Sequence, residues 1–243
     1  ACGGGGGESE PGTEEGGQAG GEIVVNGCTP ENPLVPGNTS ETCGGNVVEA
    51  FTAKLVHYNT ETAAPEMDIA DSIETSDNQT FTVKLKPDYK FQDGTVVKAK
   101  NFVDAWNYTA YGPNGQTGSY FFGPFEGYAD LQCGTNADGE ADCEGKAPKA
   151  KEMSGLKVVD DTTFTIKTSE KVSNLPVRLG YSAYAPLPDS FFSDPKSFED
   201  KPIGAGPFQV DSISSTEMVV SKFADYSGAN TPQVDKMTFR IYQ

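Results

Sequence analysis

Residues 70–110 read ADSIETSDNQTFTVKLKPDYKFQDGTVVKAKNFVDAWNYTA. Within them TFTVKL alternates, with Phe81, Val83 and Leu85 on one face at period two, the pattern of a half-buried strand. FQDGT follows as an Asp-Gly turn. KAKNFVDAWNYTAY then spaces Phe102, Val103, Trp106 and Tyr111 at helical intervals, and this aromatic stripe reads as core rather than as a ligand cage. A strand, a turn and an amphipathic helix in direct succession set the chain among mixed α and β proteins.

The flanking sequence extends that reading. Downstream, SGLKVVDDTTFTIKTSEK is a hairpin, with Leu156 and Val158 leading to a turn at Asp160-Asp161 and Phe164 and Ile166 on the return. Upstream, EIVVNG reads as a β-branched strand. NVVEAFTAKLVHYN carries Val47, Val48, Phe51, Leu55 and Val56 as a helical stripe with a short extended end. The single histidine, His57, falls at that end and reads as a boundary residue. The last third is rich in Pro, Gly, Tyr and Phe, and GAGPFQV, EMVVSKF and KMTFRIY read as three further strands.

Composition narrows the function. The 243 residues carry 35 acids against 18 bases, a formal charge of −17. Nucleic-acid phosphates need a basic footprint, and an anionic membrane surface would repel this one, so neither is an expected partner. No apolar run approaches the ~18 residues of a membrane span. A Ser–His–Asp arrangement would need His57, and no G-x-S-x-G accompanies it. Asp160-Asp161 and Glu74/Asp77 fall in turns, where Asp is simply a good turn former. The acidic stretch CGTNADGEADC fails the EF-hand template because Gly139 and its acids fall at the wrong positions. No catalytic residues, no metal and no cofactor are expected from these stretches.

Of five cysteines, four form two close pairs, Cys28 with Cys43 and Cys133 with Cys143. There is no CxxC, and one histidine leaves a zinc site short of ligands. Two local disulfides are the economical reading, each contributing about 3 kcal/mol in the chain-entropy model, and they imply an oxidising compartment. Free thiols are the alternative. Cys2 is the odd one out. It follows Ala1 and precedes a Gly/Glu/Ser-rich run that cannot bury enough surface to fold. A small residue before such a cysteine resembles the end of a bacterial lipoprotein signal, so Cys2 is read as a lipid attachment site and residues 1–21 as a flexible tether.

The order of these motifs resembles the family 5 solute-binding proteins of ABC importers, which handle dipeptides and oligopeptides, and its Gram-positive lipoprotein members in particular. The resemblance runs through GCTPENPLVPGNTSETCGGNVVEAFTAKLVHYN, the strand–turn–helix of residues 70–106, SGLKVVDDTTFTIKT, APLP, KPIGAGPFQV and FADYSGANTPQVDKMTFRIY. Gln92 stands where the family pattern has His before the Asp-Gly turn, and GAGPF replaces GTGPY. The resemblance implies a two-lobed, type II periplasmic-binding-protein-like α/β fold. Residues 22–59 and 173–243 would form lobe I, and 60–172 a lobe II insertion. A further, carboxy-terminal lobe is expected beyond Gln243, so that this stretch alone binds peptide weakly. It also implies a monomer at the outer cell surface that captures small peptides and delivers them to membrane permease subunits, with Thr29, Glu31 and Asn32 lining the ligand. Two rival readings stay open: a binding protein for another solute, such as an oligosaccharide, a nickel chelate or a signalling peptide, and a secreted hydrolase.

Overall fold

The computed structural model describes residues 20–242. Cys2 and most of the expected tether lie outside the described residues. In chain order the elements are β1 (Glu22–Gly27), α1 (Thr42–Phe51), β2 (Val56–Tyr58), β3 (Pro65–Met67), β4 (Ala70–Glu74), β5 (Thr80–Leu85) and α2 (Ala99–Ala110). They continue with β6 (Leu156–Asp160), β7 (Thr163–Lys167), three short helices α3 (Leu175–Arg178), α4 (Asp189–Ser193) and α5 (Pro195–Asp200), then β8 (Phe208–Ile213), β9 (Glu217–Lys222) and β10 (Lys236–Ile241).

Two four-stranded sheets carry the molecule. One has the order β4-β5-β7-β6, antiparallel throughout. Its inward residues are those the period-two pattern picked out: Phe81, Val83, Leu85, Phe164 and Ile166 are buried. Val158 departs from that pattern and is 41% exposed, because β6 is an edge strand. Helix α2 lies against β6 and β7. Its Trp106 is fully buried within 6 Å, centroid to centroid, of Phe102, Phe122, Phe125, Phe164 and Tyr184, and its indole N–H donates to the Tyr184 carbonyl at 3.0 Å. The aromatic stripe of α2 is therefore core, where each ring contributes both buried area and edge-to-face contacts. Asn101 starts the helix: its Oδ1 accepts the Lys98 amide, and its Nδ2 donates to the Leu187 carbonyl, tying α2 to the segment that follows α3.

The second sheet has the order β1-β10-β9-β8. β1 and β10 are parallel and the other pairs antiparallel. Helix α1 packs on β8. It begins at Thr42, earlier than its apolar stripe implies, because the Glu41 carboxylate caps it by accepting the Gly44 amide at 2.5 Å. It ends at Phe51, where the Thr52 hydroxyl takes the Val48 carbonyl at 2.6 Å. Leu55 and Val56 thus leave the helix and enter the extended segment of β2, which pairs with β3 in a small hairpin. One continuous apolar core joins both sheets.

The two sheets are locked to each other at Gln92. Its Nε2 lies 2.9 Å from the Phe51 carbonyl, 3.1 Å from that of Gly206 and 2.7 Å from that of Phe208. Its Oε1 accepts the Gly204 amide at 2.8 Å, and its own amide donates to the Gly204 carbonyl at 2.9 Å. The turn after β5 is thereby stitched to the end of α1 and the start of β8. Glycine is required at 204 and 206: a Cβ there would run into the Phe51 and Thr52 carbonyls.

Cys28 faces Cys43 with Cα atoms 5.6 Å apart, and Cys133 faces Cys143 at 4.8 Å, both distances that a disulfide spans. Mass spectrometry of non-reduced digests is expected to recover these two linkages; a crossed pairing would contradict the geometry. Gln92→Ala strands one amide and several carbonyls at a packed junction, so it is expected to cost about 3 kcal/mol by urea denaturation. Lys90→Ala, on the exposed side of the same turn, should shift the midpoint far less.

Candidate ligand-binding cleft

The segment 52–58 leaves α1 and runs as an extended chain into β2, and three other pieces close around it: 180–182 after α3, Pro207 before β8, and 226–230 between β9 and β10. Together they wall a cavity of about 450 Å³. A cavity of equal volume near Arg178 is lined by surface loop without one buried side chain. Only the first gathers buried charge.

Lys54 and Asp68 are 6% and 3% exposed. They are brought together by backbone pairing: the Leu55 carbonyl accepts the Asp68 amide at 2.9 Å, and the Lys54 carbonyl accepts that of Ile69 at 3.1 Å. Lys54 Nζ bonds Glu49 Oε2 at 2.9 Å, and the Ser182 hydroxyl donates to the other oxygen of Glu49. Burial raises the pKa of the Glu49 carboxyl, but the Lys54 charge and the two hydrogen bonds outweigh it and hold the group below its usual value. Asp68 is the opposite case. Burial pushes its pKa up, only partly offset by the Tyr89 hydroxyl and the charges of His57, Lys54 and Lys86. Tyr89 donates to Asp68 Oδ1 at 2.7 Å; burial and the adjacent carboxylate drive that phenol far upward, so it remains a donor. Tyr226 stands edge-on to Tyr89, 6.3 Å between centroids.

His57 is half-buried on the cavity wall, with Nε2 3.2 Å from Glu66 but outside hydrogen-bonding geometry. Tyr58 donates to the Val177 carbonyl at 2.5 Å and begins a row of rings that leaves the cavity. Tyr181 follows at 6.3 Å, then Phe121 at 6.0 Å, with Tyr120 stacked on Phe121 at 4.5 Å. Tyr120 is 64% and Tyr181 44% exposed, so the row presents aromatic faces to solvent. Apolar faces beside a few fixed polar groups are the usual make-up of a small-molecule site.

The residues expected from the sequence lie elsewhere. Thr29 and Glu31 are exposed and Asn32 half-buried in the loop after β1; Glu31 and Asn32 border a separate depression of about 280 Å³ with Glu199 and Ile213. The Glu31 amide donates to Glu41. None of the three lines the cavity that holds Lys54 and Asp68. Sequence reading passed over Glu49, Lys54, Asp68 and Tyr181, although Lys54 in FTAKLV and Asp68 in EMDIA are charges inside apolar runs, a conflict that marks functional positions. Among the described residues no group of three His, Cys, Asp or Glu side chains is arranged to hold a metal ion.

The cavity thus brings buried charge and aromatic rings together on one concave wall. The family model of bacterial extracellular solute-binding proteins, family 5 Middle, matches residues 64–243, and the chain belongs to that family. Among curated relatives it is 26% identical to the dipeptide-binding protein of Lactococcus lactis over 191 residues, 76% of this chain and 32% of the relative. It is 33% identical to the periplasmic oligopeptide-binding protein OppA of Escherichia coli over 124 residues, 51% of this chain and 21% of the relative. The fold matches OppA of Listeria monocytogenes bound to peptide, with a TM-score of 0.75 at 19% identity, covering 94% of this chain and 43% of that one. It also matches the Escherichia coli murein tripeptide binding protein MppA, with a TM-score of 0.74 at 21% identity, covering 90% and 42%. The fold is thus the type II periplasmic-binding-protein architecture that the resemblance implies, and the chain spans about a third or less of the curated relatives described.

In the folded chain Asp68 binds its proton to higher pH than in the unfolded chain, so between those two pKa values its contribution to stability falls as pH rises. Asp68→Asn, which can still accept from Tyr89, is expected to be more stable than the parent at pH 7, with the gain vanishing below the usual carboxylate range. Urea midpoints of both proteins at pH 3 and pH 7 check this; a variant less stable at pH 7 would contradict it.

Proposed function

We propose that this chain forms part of a peptide receptor outside the cytoplasm that hands its cargo to the permease of an ABC importer. Residues 22–59 and 173–243 act as one lobe and 60–172 as the other, with the receptor a monomer held at the membrane by lipid on Cys2. Its task is binding, without catalysis. The family supports the general role, and relatives named as dipeptide- and oligopeptide-binding proteins support peptide as the cargo.

The observation that carries the reading is the cleft at Lys54 and Asp68 with its row of aromatic rings. A peptide of any sequence offers the same backbone amides, carbonyls and terminal charges. A receptor that accepts many sequences reads those shared groups and leaves side chains in roomy, adaptable surroundings. Aromatic faces suit the second task because they contact apolar and cationic side chains alike.

Titration of the ¹⁵N-labelled chain with trialanine, followed by heteronuclear NMR, tests this and detects binding even in the millimolar range. Amide shifts are expected at 52–58, 180–182 and 226–230, and none there with a maltotriose control. Shifts with the sugar alone, or peptide shifts confined to residues 29–34, would overturn the placement.

A further inference from the structure

We propose that Asp68 and Tyr89 are positioning residues for the cleft: they hold its 226–230 wall through a chain of hydrogen bonds that ends on the Asp68 carboxylate and loosens when that group takes a proton. This role rests on the cleft being the ligand site and adds how that site is controlled. Tyr226 and Asn230 line the cavity from the segment between β9 and β10, whereas Asp68 precedes β4 and Tyr89 lies in the turn after β5. The Asn230 amide donates to the Tyr226 hydroxyl oxygen at 3.1 Å, and the Tyr89 hydroxyl donates to Asp68 Oδ1 at 2.7 Å. The two phenols stand edge-on, and their oxygens meet over Gly228, where a Cβ would collide with both. The Tyr89 proton is spent on Asp68, so its oxygen is left to accept, and Tyr226 still has a proton to give. A side-chain hydrogen bond between the two phenols closes the chain, and every donor in it then points toward the carboxylate.

A carboxylate is a costly terminus for such a chain. Asparagine would accept the same bond from Tyr89 without placing a charge at a site only 3% exposed. What the charge adds is direction and strength. An ionised carboxylate only accepts, so each hydroxyl must turn toward it; its bonds are about twice as strong as neutral ones, and linked bonds polarise one another. A protonated carboxyl can donate instead. The phenol protons then lose their fixed order, and the wall is tied by neutral bonds alone. The groups that face Asp68 are Lys54 from the segment after α1, His57 on β2, Lys86 after β5, and the phenols of Tyr89 and Tyr226. Lys54 is committed to Glu49 and His57 lies beside Glu66, so burial prevails and Asp68 takes its proton at higher pH than an ordinary carboxylate. The wall is therefore held above that pKa and released as pH falls through it, whereas the contribution of Asp68 to global stability changes in the opposite sense. A merely structural role would move both together.

The experiment follows amide hydrogen exchange at Asn230 in the 243-residue chain between pH 4 and pH 8, as protection relative to the intrinsic rate. The Asp68 carboxyl carbon and the His57 ring are titrated by NMR in the same samples. Protection at Asn230 is expected to fall about tenfold as Asp68 gains its proton, while the Lys222 amide, bonded to the Asp235 carbonyl at 2.7 Å, holds. Asp68→Asn should leave protection low and independent of pH, and Tyr226→Phe, which removes the acceptor, should lower it at every pH. Trialanine affinity is expected to fall in step with Asn230 protection in the parent and to lose that pH response in Asp68→Asn. If trialanine binds at no pH while protection follows Asp68, the latch stands and the peptide reading falls. Protection that follows the His57 ring, that ignores pH, or that keeps its pH response in Asp68→Asn would overturn the inference, as would an affinity that stays constant while the wall loosens.

Discussion

One side chain, Gln92, meets three backbone carbonyls and one amide drawn from two other parts of the chain. It lies where the turn after β5, the end of α1 and the Gly204–Gly206 approach to β8 converge. Each of those pieces has backbone groups that regular structure leaves unpaired, because a helix ends there and a strand has yet to begin. A histidine, which the family resemblance implies at this position, has one ring donor when neutral and could not serve the same carbonyls. The carboxamide carries two donors and an acceptor in one plane and replaces the missing ladder. The cleft depends on this junction, since Thr52, Ala53 and Lys54 follow directly from the carbonyl that Gln92 holds.

Much of the scaffold was legible because its strands are half-buried and its principal helix is amphipathic. β5, α2, the β6–β7 hairpin and the last three strands all lie where periodicity predicts. What escaped was local and short. The β2–β3 hairpin has only three residues per strand, too few for a period, and it is held by Asn59, whose Oδ1 accepts the Glu61 and Thr62 amides. Helix α1 starts through a cap from Glu41, outside the usual set of capping residues, and runs through two glycines. The short helices α3 to α5 sit among prolines and carry no stripe of their own.

The cleft was less legible than the fold for a physical reason. Its residues come from segments 49–68, 180–182 and 226–230, and no local pattern connects them. The loop at 29–32 drew attention because the family resemblance implies a ligand-lining segment there, and it lies apart from the cavity that holds Lys54 and Asp68. Buried charge is rare. Lys54 and Asp68 are each one residue in an apolar stretch, and the meaning of that conflict emerges only when the chain folds them into a shared wall.

The parallel pairing of β1 with β10 governs the order in which the chain can take shape. Among the described residues β1 has one strand neighbour, and its register partner for Glu22 is Lys236. The sheet built from residues 70–167 closes over far shorter separations in sequence. Contacts between distant residues bear the full entropy of closing the intervening loop before they gain anything in return. β1 therefore waits without its observed strand partner until residue 236 and beyond have been made, while the sheet of residues 70–167 is already free to assemble. The register of β1 is thus set late, by residues far downstream of it.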